Sequence, residues 1–125
     1  MLENIFIKKL ILQIYKNRYN NDMEPLLIYK ALSNETRRQI LEWLKDPSEH
    51  FGDHYRAKPG MEPPAGVCVG DIQAKSGLAQ SVISSYLVTM QKAGLLVSER
   101  CGQWTYYRRD EETIRQFCDY VKSQL

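Results

Sequence analysis

The residues best suited to chemistry in this 125-residue chain are short and uncharged: Gln80, Ser81, Ser84 and Ser85. In the stretch QSVISSYLVTMQK, Ile83, Leu87 and Met90 recur at helical spacing and mark an inward stripe, so the serines and Lys92 take the opposite side. A solvated helix of this length ordinarily carries charges on its outer face. Amides and hydroxyls instead suit a face laid against nucleic-acid base edges and phosphates, because they donate and accept hydrogen bonds at close range. Tyr86 is a further candidate on that face. Downstream, Arg100, Gln103 and Arg108 bracket a glycine turn, and residues 69–109 carry five basic side chains against two acidic ones.

These groups have to be held outward. A short helix containing Ile72 and Ala74 meets Gly77, which can take the positive φ that swings the chain into a second helix over residues 80–93. After Gly94 come LLVSER, the turn CGQ and WTYYR, two β-rich segments that predict a hairpin. The order is helix, turn, helix, hairpin. Upstream, a helix is expected over residues 24–32 with Pro25 in its first turn. Ser33 or Asn34 then caps another over residues 35–45, with Ile40, Leu41 and Leu44 inward. Arg37 and Arg38 either reach phosphates or pair with acids such as Glu35 or Glu42. Residues 46–66 are rich in proline and glycine and are expected to be irregular. The final segment opens on acids, ends near Lys122 and places Ile114, Phe117, Cys118, Val121 and Leu125 on one helical face.

Four motifs in register carry a resemblance to the ArsR/SmtB family of bacterial winged-helix repressors. They are ALSNETRRQIL (31–41), VCVGDI (67–72), the run from Gly77 to Val97 ending KAGLLV, and the wing GQWTYYR, within a match from Met23 to about Leu125. The resemblance implies a mainly α fold with a small β-hairpin, a winged helix-turn-helix dimeric through its N- and C-terminal helices. It implies a repressor released from a double-stranded operator by a small effector. Gln80, Ser81, Ser84, Ser85 and Tyr86 would enter the major groove, and Arg100, Gln103 and Arg108 would reach the backbone or minor groove. Ile114, Phe117, Cys118 and Val121 would lie in the dimer interface.

The chain departs from the family pattern in several places. Ala79 stands where a capping serine is usual, Tyr86 where histidine is common, and Ser76 where leucine is usual; residues 46–66 are an insertion. Cys68 matches a first ligand of the arsenic-type Cys-Val-Cys motif, but its second cysteine is Gly70 here, and no histidine follows His54. Glu42 takes one position of the cysteine pair that oxidant-sensing members use. No metal or other cofactor is expected from the usual sites. A new site, for zinc, is conceivable from His50, Asp53 and His54 in the insertion with Cys68. Cys101 is expected exposed at the wing tip and Cys118 in the core.

Three cysteines without framework spacing fit a reducing, cytoplasmic setting. The N-terminal run IFIKKLILQIY is broken by Lys8 and Lys9 and is too short to span a bilayer. Residues 1–22 form a separate extension, either a helix striped by Ile7, Leu10, Ile11 and Ile14 or translated upstream sequence, and residues 23–125 form the winged domain. No phosphate-cradling glycine loop or nucleophile elbow is present, which argues against an enzyme. Two rival classes are a winged helix used purely for protein interaction, and a metal- or thiol-responsive sensor using residues 46–66 and Cys68.

Overall fold

The computed structural model describes residues 4–11, 23–52 and 66–125. Residues 4–11 are helical (α1). Then come α2 (Pro25–Leu32), α3 (Glu35–Lys45), α4 (Pro47–Phe51), β1 (Val67–Cys68), α5 (Val69–Ser76), α6 (Gln80–Lys92), β2 (Leu96–Cys101), β3 (Trp104–Arg109) and α7 (Glu111–Gln124). The sheet is antiparallel in the order β1-β3-β2, so the expected hairpin gains a third, two-residue strand. Val67 pairs with Tyr107 on one side of β3, and Ser98 pairs with the same residue on the other.

Local chemistry explains the helix ends. Asn34 Oδ1 accepts the Arg37 N–H at 3.0 Å, and Asp110 Oδ1 accepts the Thr113 N–H at 3.0 Å, each satisfying a backbone donor that the first turn leaves open. Pro25 and Pro47 start their helices, where a missing N–H is harmless. Gly77 ends α5 at φ 70°, the left-handed corner expected between the two helices.

Two apolar clusters support this frame. One joins Ile40 and Leu44 of α3, Phe51, Val67, Ile72, the α6 stripe of Ile83, Leu87 and Met90, Leu96 and Tyr107. The other joins Ile28 and Ala31 of α2 to Ala93 and Leu95, with Ile114 and Phe117 of α7 packed against it. Phe117 meets Tyr29 edge-on at 5.2 Å.

The structure corrects four expectations. Residues 46–66 do not begin irregularly: α4 inserts Phe51 into the core, edge-on to Trp43 at 6.3 Å, and Lys75 Nζ lies 5.3 Å over the Trp43 ring. An apolar residue that follows a proline-initiated turn finds a place beside Trp43, and burial outweighs weak propensity. Among the described residues neither Arg37 nor Arg38 pairs with an acid; Arg37 is half-buried and Arg38 is exposed. Arg37 Nε and Nη2 donate to the carbonyls of Ala31 and Lys30 at 2.7 and 3.0 Å, and Arg38 donates to that of Leu32, so both serve the open C-terminal end of α2. Cys118 is exposed, not core, whereas Gln116 on the same helix is buried, its Nε2 donating to Glu112. Cys101 stands at the wing tip as expected, at the end of β2, but is half-buried there and not exposed. Ile14 and most of residues 46–66 lie outside the described residues. Of the N-terminal stripe, Ile7, Leu10 and Ile11 are described and exposed.

Candidate nucleic-acid interface

Helix α6 stands on the core through its fully buried stripe, which fixes its opposite side outward. Gln80, Ser81, Ser84 and Ser85 are all exposed there, as their spacing predicts. Val88, one turn beyond Ser84 and Ser85, shares the face and is 44% exposed. It was passed over in the sequence because valine at that position reads equally well as core; its angular position beside the serines was the available signal. Ala79 occupies the N-cap and supplies no side-chain bond.

Tyr86 is placed differently from its expectation. It is half-buried against the core, its hydroxyl accepts from Asn34 Nδ2 at 3.3 Å, and Arg37 lies over its ring at 5.2 Å. The side chain braces α6 against the start of α3 and does not project from the outer face with the serines.

The β2–β3 wing turns at Gly102, whose carbonyl accepts from Arg100 Nε at 3.2 Å, leaving Gln103 exposed at the tip. Arg108 pairs with Glu99 at 3.5 Å with both side chains about half exposed, a pair weak enough for a phosphate to displace. Arg109 is committed inward. Its guanidinium bonds Glu111 at 2.8 Å and the Leu41 carbonyl at 3.2 Å, tying the wing to α3 and α7. The exposed cations on α6 and the wing are therefore Lys92, Arg100 and Arg108. Between α6 and the wing lies an open cleft of about 440 Å³, lined by residues that include Gly70, Gln73, Gln80, Ser84, Trp104 and Thr105. Gln73, Trp104 and Thr105 were not foreseen, since only the fold brings α5 and β3 to one cleft.

The candidate metal set is not assembled by the described residues. His50 is on α4 beside Glu49 at 4.0 Å, Cys68 is at the end of β1, and Asp53 and His54 lie outside the described residues. Among the described residues no three His, Cys, Asp or Glu side chains come together. Burial pushes the Cys68 thiol above its ordinary value, outweighing the Asp71 and Gly70 backbone groups that favour the thiolate. Among the described residues no helix is long and apolar enough to cross a membrane.

No protein-family model matches the chain. It is 46% identical over 104 residues to the HTH-type transcriptional regulator YbzH of Bacillus subtilis, across 82% of this chain and all of that one. It is 27% identical over 97 residues to the arsenic resistance transcriptional regulator ArsR1 of Pseudomonas putida, across 78% of this chain and 62% of that one. HlyU from Vibrio cholerae shares the fold at a TM-score of 0.51 and 21% identity, over 79% of this chain and 89% of that one. With the helix-turn-helix and its wing in place, these relatives show that the chain belongs to the ArsR/SmtB-type winged helix-turn-helix transcriptional regulators.

Proposed function

We propose that this regulator is a cytoplasmic homodimer that lays α6 of each copy in successive major grooves of one DNA duplex and is released by a small effector. Gln80, Ser81, Ser84, Ser85 and Val88 meet base edges, while Arg100, Gln103 and Arg108 hold the backbone or minor groove. The observation that carries this is the outer face of α6: short, neutral and exposed, held out by Ile83, Leu87 and Met90 and flanked by a cationic hairpin. A two-fold pair of such helices calls for a pseudo-palindromic site with half-sites about one helical turn apart. The dimer forms through α2 and α7, where Leu26 is 63% exposed, Tyr29 42% and Leu125 95%.

The arsenic in the Pseudomonas relative's name does not carry over. Cys68 is a single thiol in its segment, and Gly70 supplies no second ligand. Affinity for a duplex retained from a randomised pool, measured across a salt series, tests the assignment. Replacing Arg108 with alanine lowers affinity on every sequence and reduces the salt slope by about one unit, whereas Gln80→Ala costs roughly 1–3 kcal/mol and relaxes base preference. Equal losses on all sequences from Gln80→Ala would remove it from the base readers.

A further inference from the structure

We propose that Arg109 is a positioning residue that sets the distance between the two recognition helices of the dimer, and with it the half-site spacing that the regulator accepts. This rests on the dimeric DNA-binding reading above. Arg109 closes β3 opposite Leu96, the first residue of β2, so it stands at the base of the wing. Its guanidinium reaches two other elements. Nε and Nη2 donate to the Glu111 carboxylate of α7 at 2.8 and 3.3 Å, and Nη1 donates to the Leu41 carbonyl of α3 at 3.2 Å. A planar fork meets a carboxylate with two parallel bonds and keeps a donor for a third partner, a geometry that lysine cannot supply.

Two features set this clamp apart from a surface ion pair. The Arg109 side chain is only 11% exposed, whereas that of Arg108 is about half exposed, so water competes less for the bonds of Arg109. The rest of the junction is tight. Asp110 alone separates β3 from α7, its N–H donates to the Leu95 carbonyl at 2.9 Å, and a Cβ added at Gly94 would come within 3.2 Å of Thr113 Cγ2. The corner after α6, the base of the wing and the first turn of α7 therefore meet in one place, and Arg109 fastens that place to α3. In a dimer joined through α7, the angle at which α7 leaves this junction fixes how far apart the two copies of α6 lie. One added base pair moves a half-site about 3.4 Å along the duplex and turns it by about 35°, so a small change of that angle is read as a change of spacing.

Arg109→Met keeps the apolar stem and removes the fork, and Glu111→Gln, at an exposed side chain, weakens the clamp from its outer end. Both are compared with the unaltered protein on duplexes whose two pool-selected half-sites stand at the selected spacing or one base pair closer or farther, and on a duplex with one half-site. Each is measured across a salt series, with melting temperature and mass in solution recorded. The parent is expected to bind the altered spacings more weakly than the selected one. In Arg109→Met that preference shrinks about tenfold, as much as the bonds of one partly buried charged group are worth, while affinity for one half-site and the salt slope stay parental. Glu111→Gln shrinks it about threefold. An equal loss at every spacing overturns the proposal, because it marks a merely structural role. So does a monomeric mass, which marks the dimer contact itself, a salt slope lower by about one unit, which marks a phosphate contact, or a parental spacing preference in either variant. Should Arg109→Met fail to fold, Glu111→Gln decides alone. Duplex binding by the parent that ignores spacing also overturns the proposal, whereas absence of any salt-dependent duplex binding by the parent would sink the DNA-binding reading as well.

Discussion

Arginine 37 offers a sharp test of the structure, because the sequence allows it to contact phosphate while the fold occupies it elsewhere. Its Nε and Nη2 donate to the Ala31 and Lys30 carbonyls at 2.7 and 3.0 Å, and its guanidinium lies 5.2 Å over the Tyr86 ring. Arg37→Ala removes all three contacts and leaves the Asn34 cap intact, since that bond uses the Arg37 backbone N–H. Each bond from a charged donor is worth about 1 kcal/mol at a half-buried site, below the range for buried ones, and the cation–π contact adds about 0.5 kcal/mol. The expected loss is about 2.5 kcal/mol, or about 10 °C in melting temperature for a domain of this size, compared at equal protein concentration. Arg37→Lys keeps the charge but not the fork, and recovers less than half of that loss. Duplex binding over a salt series completes the assay: the slope for Arg37→Ala stays that of the parent, whereas Arg108→Ala lowers it by about 0.9. A variant that melts like the parent but loses a unit of salt slope would refute the assignment and make Arg37 a phosphate contact.

Val88 on the groove face should sense the methyl group of a thymine. Replacing thymines of the selected duplex by deoxyuridine one at a time is expected to weaken the parent about fourfold at one position per half-site, and to leave Val88→Ala unaffected there. Burial raises the pKa of Cys68, and it raises those of Tyr106 and Tyr107 as well, so the folded chain keeps protons that the unfolded chain gives up. The unfolded state then binds fewer protons, and stability falls as pH rises from the ordinary cysteine value of 9.0 through the tyrosine range; Cys68→Ser removes the first part of that fall in a melting series. Leu26→Glu, at an exposed position of α2, is expected to leave the fold intact and shift the mass in solution from two chains to one at micromolar concentration.

What could be read from the chain alone divides along physical lines. Elements whose evidence is local were legible: the α6 stripe of Ile83, Leu87 and Met90, the Gly77 corner, a cap at Ser33 or Asn34 and the acidic start of α7 all depend on residues within a few positions of one another. Helix α4 was not, because five residues among prolines carry no period and form a helix only once Phe51 can pack on Trp43. Cys118 was misplaced for a related reason. Periodicity finds an apolar face but not how much of it the chain itself covers: Ile114 and Phe117 pack on the second cluster while Cys118 on the same face stays exposed. The same limit runs through the site. Helical spacing placed the serines on the exposed face of α6, whereas the cleft takes its walls from α5, α6 and β3, and Tyr86 takes its partners from α3. The bracing of Tyr86 has a mechanical consequence: the recognition helix is tied to α3 through Asn34 and Arg37, and Arg37 is tied in turn to the end of α2. Tyr86 and Arg37 therefore link α6 to the end of α2 through one phenol and one guanidinium, a connection that no spacing rule in the sequence could have displayed.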